Sequence, residues 1–397
     1  MPFVIVAFGL FIIFPVFTTP LNFFLAVILH DRSRYFFLVL FVLGLSMFGL
    51  YFIPNGPFDI VRYEYNLQTL QKIANPLILF DVNKINSYGY TIGLDTNVLF
   101  NFYSWVISKT NRPNLLSAGS IVTIYFSLLF PYVNQNSKLS LLKKVLLIGL
   151  TTTSLPFLYA ISSIRWPMAA SVYVLTTYLY FSKGQKLRHV WLLFLPVLLH
   201  SSLIILSWST IGIALLRRRS TVTHFAVYMA GLLSFSTVIT YASISSNSYL
   251  LQLVQKFNGY SETVLKTEWW VQNGTVITLL VALPILIRAA MKKNDSNNYF
   301  SEAVLFNALT YIVLFVFDKP LTDRFNWIMI PLMVIAIYLT SSPEKSYWRT
   351  MNVLIVLILA VRTNLDLFTQ GFMFLVTQLE AIQVWTTNFF NYFFNGG

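Results

Sequence analysis

The sequence predicts an all-α polytopic membrane protein of about 10–13 transmembrane helices, with further re-entrant and interfacial helices, since each crossing needs roughly 20 apolar residues. Three observations predict it. Of the 397 residues, 56% are hydrophobic and only 10% are charged, whereas a soluble domain carries roughly a quarter charged residues to cover its water-facing surface. Apolar stretches of membrane-crossing length recur along the whole chain. Finally, the positive charge collects on alternate connections between those stretches.

The first apolar stretch, 3–29, is broken around Pro15 and Pro20. It has no compact leader pattern with a small-residue cleavage site and reads as a retained span. A second span covers 35–53. Residues 54–114 then form an outer loop, in which 96–110 is an amphipathic, aromatic element lying at the interface. Spans at 115–133, 145–161 and 167–182 follow. The stretch 189–216 is basic at both ends, with Lys183, Lys186 and Arg188 before it and Arg217, Arg218 and Arg219 after it. Both ends therefore belong on one side, which makes the stretch a re-entrant hairpin with its apex near Pro196 to Ser202. Further spans at 222–243, 274–291, 303–317, 325–341 and 350–370 complete the set, with a second outer loop at 244–273. Residues 371–397 are aromatic and weakly charged, and their composition suits an extra span or an interfacial helix equally. No repeat array or soluble insertion interrupts the chain, so 1–397 is a single membrane-embedded domain.

On this reading the cytoplasmic connections hold 16 of the 27 Lys and Arg but 4 of the 14 Asp and Glu, while the other 11 basic and 10 acidic residues nearly cancel. Excess Lys and Arg on short cytoplasmic loops is what orients membrane helices. The net +13 is thus a topology signal and excludes a nucleic-acid partner. The absence of cysteine excludes disulfides and thiolate chemistry. No Gly-rich phosphate loop and no His/Cys cluster with metal-ligand spacing is present, so neither a cofactor nor a metal is expected.

The chemistry-bearing residues are the charges at the outer ends of spans. Arg165 interrupts an apolar run in Ile164-Arg165-Trp166-Pro167, where one helix ends and the next begins. A helix start adds partial positive charge and free amides, which favour phosphate; the plain alternative is an arginine snorkelling to the interface. His200 lies at the hairpin apex in Leu-His-Ser-Ser-Leu, where an imidazole serves as a general base or an anion donor, or as a satisfied structural residue. Asp323-Arg324 closes a short outer turn; Arg324 suits phosphate and Asp323 a base, against a local ion pair of little energy. Asp59-Ile-Val-Arg62-Tyr63-Glu64-Tyr65 follows the second span. Its Asp, Arg, Glu and tyrosines fit a sugar-like ligand or, equally, an interfacial helix with aromatic anchors. Asp95 is a candidate cap for the 96–110 element.

At these residues the chain resembles the bacterial Wzy-type polysaccharide repeat-unit polymerases, in particular their EpsG-like branch. The resemblance covers roughly residues 20–340: Asp59 to Tyr65 after an early span, Ile164-Arg165 opening a helix, His200-Ser201-Ser202 in an apolar hairpin and Asp323-Arg324 before a late span. Trp166 departs from the pattern, in which glutamine often follows Ile-Arg. The resemblance implies a metal-independent glycosyltransferase of GT-C-like architecture in the bacterial inner membrane, its site facing outward. Its substrates would be undecaprenyl-pyrophosphate-linked donor and acceptor glycans, and its other partners membrane lipids, a chain-length regulator and a flippase. Arg165, Arg324 and Arg62 are then expected to bind pyrophosphate, His200 and Asp323 to be catalytic, and Asp59, Tyr63 and Tyr65 to contact sugar. A glycan ligase and a lipid-linked oligosaccharide flippase are the competing readings. The short loops argue against the first, and the lack of an internal repeat argues against the second.

Overall fold

A computed structural model describes residues 2–52, 59–80, 97–135, 139–155, 157–182, 186–216, 220–244, 269–291, 296–317, 319–340, 354 and 358. Most of the 244–273 loop, nearly all of the 350–370 span and the whole of 371–397 lie outside these residues. Every regular element among the described residues is a helix. The first three are α1 (Pro2–Ile13), α2 (Pro15–Ile28) and α3 (Ser33–Leu50). Phe14 leaves helical geometry (φ −132°, ψ 66°) and Pro15 restarts the chain as α2, because proline's missing N–H is no loss in a first turn. Pro20 sits inside α2 and does not interrupt it, so the expected second break is absent.

Next come α4 (Asp59–Gln71), a 3₁₀ turn at Pro76–Phe80 and α5 (Val98–Ser108). They are followed by α6 (Leu115–Asn134), α7 (Leu141–Thr153), α8 (Phe157–Ser162) and α9 (Arg165–Ser182). The single span expected at 145–161 is therefore two helices. The cause is local. Thr151, Thr152, Thr153 and Ser154 turn their hydroxyls back onto carbonyls three or four residues earlier, which loosens the helix. The following Pro156 disfavours helical geometry at the residue before it.

The re-entrant stretch runs as a 3₁₀ segment at Leu187–Phe194, α10 (Leu195–Leu199), a 3₁₀ turn at Ser201–Leu203 and α11 (Ile204–Leu215). Between α10 and that turn His200 is extended (φ −152°, ψ 113°). The first arm packs against α11, as a hairpin requires. The chain continues as α12 (Thr221–Ile244), α13 (Trp269–Met291), α14 (Ser296–Phe317) and α15 (Lys319–Thr340).

At the centre is α9, which packs on α6, α10, α14 and α15. Its small residues Ala169, Ala170 and Ser171 are buried and let neighbouring backbones approach, as in membrane helix interfaces. Helices α2, α3 and α6 form one flank, and α13, α14 and α15 the other. On the first flank two backbones meet closely at Gly49, where an added Cβ would stand 2.7 Å from the Ala118 backbone nitrogen.

Polarity is inverted relative to a soluble protein. Asn101, Ser104 and Ser108 of α5 are buried, while Phe102 and Val106 are exposed. The polar face of this amphipathic element turns inward, toward its neighbours α4 and α10. An apolar outside is what a hydrocarbon solvent selects. Two described helices, Ser33–Leu50 and Leu115–Asn134, are each long and apolar enough to cross a membrane alone. The other apolar helical stretches among the described residues are shorter, of 10–17 residues.

Candidate functional site

Three segments far apart in sequence meet at the opening turn of α9. Trp166, the second residue of that helix, is buried. Its ring lies edge-on to the His200 ring with centroids 4.8 Å apart, and edge-on to Phe325 at 5.6 Å. Its indole N–H donates to the Arg324 carbonyl at 3.3 Å. One indole thus ties the hairpin apex and the early turns of α15 to the start of α9. A second tie is made by Tyr159 of α8, whose ring is 5.0 Å from that of Trp327.

Arg165 opens α9, so its backbone lies at the helix's positive end. Its guanidinium carbon stands 5.7 Å from the centroid of the buried Tyr63 ring, within cation–π range. Its Nε is buried and has no hydrogen-bond partner among the described residues. A buried guanidinium N–H without an acceptor carries a desolvation cost that an incoming anion relieves. Tyr63 is held in turn by Phe100 of α5, rings edge to face at 5.1 Å.

His200 is buried, and its Nδ1 lies 2.8 Å from the Ser202 hydroxyl, so a neighbour two residues on fixes the ring's rotation. The next backbone amide, of Ser201, donates to Asn97 Oδ1 at 3.1 Å. Asn97 occupies the cap position of α5 but uses its side chain to anchor the apex. Asp95, expected as that cap, lies outside the described residues.

Arg324 is partly exposed in the second turn of α15. The backbone of Asp323 lies in the same turn, and its side chain is outside the description. The α4 candidates divide by face. Tyr63 points inward, whereas Tyr65 is exposed, and Arg62 pairs with Asp59 one turn earlier on a largely exposed face. That pairing holds the Arg62 guanidinium's pKa above its ordinary value, through a hydrogen bond and the carboxylate's charge. The structure therefore gathers Tyr63, Arg165, His200 and the Arg324 backbone, and leaves Arg62, Asp59 and Tyr65 on the other faces of α4.

Sequence reasoning did not identify Asn97 or the linking role of Trp166. Asn97 carries no local signal. Trp166 was visible only as a departure from the expected glutamine. Glu64, read with its neighbours in that charged run, is half-buried, and burial pushes its carboxyl up to about 7.

A family model described as the EpsG family matches residues 77–375. The chain belongs to the EpsG family. This is the family of Wzy-type, EpsG-like polysaccharide polymerases, and membership together with the apolar helices makes the chain a membrane protein. No curated protein and no solved structure matches it. The EpsG match takes in Arg165, Trp166, His200, Asp323 and Arg324 and stops short of α4. Asp59, Arg62, Tyr63 and Tyr65 thus rest on their geometry alone.

Proposed function

We propose that this EpsG-family chain polymerises lipid-linked oligosaccharide repeat units on the outer face of the bacterial inner membrane. A growing glycan leaves undecaprenyl pyrophosphate and joins the non-reducing end of a new repeat unit still on its own carrier. The product is an O-antigen, capsular or exopolysaccharide. One observation carries the reading above the others: the residue next to Arg165, Trp166, packs on the His200 apex, while the Nε of Arg165 is buried without an acceptor among the described residues.

In the proposed reaction an acceptor hydroxyl oxygen bonds to the donor's anomeric carbon as that carbon's bond to the pyrophosphate oxygen breaks. The electron pair leaves with the pyrophosphate, and negative charge grows on its oxygens in the transition state. Arg165 and Arg324 supply fixed positive charge there, and guanidinium forks match phosphate oxygens bidentately. Preorganised donors of this kind lower the barrier most in a partly dry site. No metal is required in this scheme, so washing membranes with chelator should leave polymerisation unchanged. The acceptor proton goes to His200 Nε2, which is the basic nitrogen in the tautomer whose Nδ1–H donates to the Ser202 hydroxyl, with Asp323 as the second candidate base. Tyr63 stacks on sugar beside Arg165. Arg62, Asp59 and Tyr65 are assigned to the second substrate, which enters across α4. Some 10–13 crossings in a GT-C-like arrangement would leave the bundle open to the bilayer for the polyprenyl tails.

The test is a gel of surface polysaccharide from a strain lacking this protein, complemented with wild type or with Arg165→Ala. Single repeat units without the ladder of longer chains, in both the deletion and the Arg165→Ala strain, is the expected result. Stranded internal lipid-linked units with no surface glycan would mark a transporter instead. Long glycan retained on its lipid carrier would mark a ligase.

A further inference from the structure

Helices α4 and α5 lie side by side and run in the same direction. At one end the Tyr63 and Phe100 rings meet edge to face at 5.1 Å. At the other the Trp105 indole N–H donates to the Ile73 carbonyl at 2.8 Å, and Lys109 Nζ donates to the carbonyls of Gln71 and Ile73 at 2.7 Å. Asn66 of α4 and Ser104 of α5 therefore fall at matching levels between the two ties. Both belong to the buried faces of their helices.

Two polar groups in this seam are unsatisfied. Asn66 is 2% exposed and Ser104 3% exposed, and neither Asn66 Oδ1 nor the Ser104 hydroxyl has a hydrogen-bond partner among the described residues. For Ser104 a partner is within its own helix. A helical serine can donate to a carbonyl three or four residues earlier, as Ser108 does to Trp105 at 2.7 Å. Ser104 does not. Sealing an amide oxygen and a hydroxyl without partners is destabilising, and a ligand that pairs with both removes the penalty.

The surroundings indicate the ligand's chemistry. The buried faces of α4 and α5 carry Tyr63, Asn66, Phe100, Asn101, Ser104 and Ser108 among aliphatic residues, and no charge. Neutral amides and hydroxyls beside aromatic rings suit the hydroxyls and ring face of a sugar. The position agrees. The Tyr63 ring faces the Arg165 guanidinium at 5.7 Å, and Asn66 follows one turn later, roughly 4.5 Å along the helix axis. At the start of α5, Asn97 holds the Ser201 amide beside His200.

The geometry points to a subsite for an uncharged sugar of the repeat unit in the α4–α5 seam. Asn66 Oδ1 accepts from one sugar hydroxyl, and the Ser104 hydroxyl donates to another oxygen of the same ring. The seam opens to admit the sugar by displacement of α4, whose main contacts among the described elements are with α5 and α8. The inference rests on the polymerase reading and names residues that recognise the glycan next to its pyrophosphate.

The test compares stability with chain length in Asn66→Leu and Ser104→Ala. Each removes a buried polar atom that has no partner among the described residues, so each should raise the unfolding temperature in detergent, by roughly 2 °C. Each should nonetheless shorten the surface polysaccharide ladder, because losing one hydrogen bond to the sugar should slow addition about fivefold. Asn22 of α2 is the control. Its amide is also buried without partners among the described residues, but α2 packs on α3 in the flank away from α4. Asn22→Leu should raise the unfolding temperature and leave the ladder at full length.

A full-length ladder from both Asn66→Leu and Ser104→Ala would overturn the subsite. So would a lowered unfolding temperature in Ser104→Ala, which adds no bulk, since that would assign its hydroxyl a structural partner. Equal shortening in Asn22→Leu would also overturn it, by showing that the effect is not local. Sugar analysis of the wild-type glycan should find an uncharged residue in the repeat, and a repeat made only of acidic sugars would rule out the ligand class. The strain lacking the protein separates the two readings. Single repeat units there, with full-length ladders from both variants, would remove the subsite and keep the polymerase, whereas a deletion strain without single units would remove both.

Discussion

The Trp166 ring stands edge-on to that of His200 with centroids 4.8 Å apart, and its indole N–H reaches the Arg324 carbonyl at 3.3 Å. The two contacts do different jobs. The ring contact sets where the imidazole sits, and the hydrogen bond sets where α15 meets α9. Trp166→Phe keeps most of the first and deletes the second, and should cost about 0.5–1.5 kcal/mol for the lost hydrogen bond. Trp166→Ala loses both and should cost about 3–5 kcal/mol. Thermal unfolding in detergent ranks the two variants. Gels of surface polysaccharide should show shortened chains in Trp166→Phe and none in Trp166→Ala.

Arg165 should not tolerate lysine. A lysine keeps one charge but loses the planar fork and the Nε that is buried without an acceptor among the described residues. Arg165→Lys should therefore resemble Arg165→Ala in glycan length while matching wild type in membrane abundance by immunoblot. Full-length glycan from the lysine variant would reduce Arg165 to a point charge.

Glu64 gives α4 a pH dependence of definite sign. Burial raises its carboxyl to about 7 in the folded protein, whereas an unfolded chain ionises near 4.3. Below the unfolded value both states are protonated and the group is neutral to stability. As pH rises from there toward about 7 the folded state holds a proton that the unfolded state has released. Stability consequently falls across that window, and the loss is complete above it. Glu64→Gln should flatten the dependence of the unfolding temperature on pH between about 4.5 and 7. An unchanged slope would assign the dependence to another group.

Gly49 should be intolerant of any side chain. Its missing Cβ is what lets α3 lie against the backbone of Ala118 in α6. Gly49→Val should destabilise by about 1–3 kcal/mol through overpacking, read as a lower unfolding temperature in detergent. Gly149, where a Cβ would meet nothing within 4 Å, provides the control, and Gly149→Ala should be near neutral.

His224 of α12 and Glu302 of α14 are both buried, with Nδ1 2.7 Å from the carboxylate, and the pair should show strong coupling. Truncating either residue leaves the other buried without its partner at a cost of about 1–3 kcal/mol. The double variant His224→Ala/Glu302→Ala should cost less than the two single variants added together, which a double-mutant cycle of unfolding measures. Strict additivity would mean that the two groups stabilise the bundle independently.

The sequence made the outline of the bundle legible where charge and proline act alone. The basic flanks of 189–216 predicted a chain reversal, and the structure turns at His200. Pro167 and Arg165 predicted the start of α9. Features that depend on partners distant in sequence were not legible. Nothing local to Asn97 says that its amide will hold the amide of Ser201, 104 residues away. The amphipathicity of α5 was legible, but the direction of its polar face was not, because amphipathicity has no sign until the solvent is known; Asn101, Ser104 and Ser108 turn inward. The break before Pro156 was missed for a different reason. Hydropathy averages over four hydroxyls that act individually by hydrogen bonding backward.

Arg165, His200 and Arg324 are separated by 35 and 124 residues of chain, yet one indole joins their segments. On the proposed assignment, a polypeptide emerging from the ribosome has no working site until α15 has docked on α9. While the earlier helices are being threaded into the bilayer, the nascent chain would hold none of its proposed substrates, and activity would begin only with nearly complete assembly.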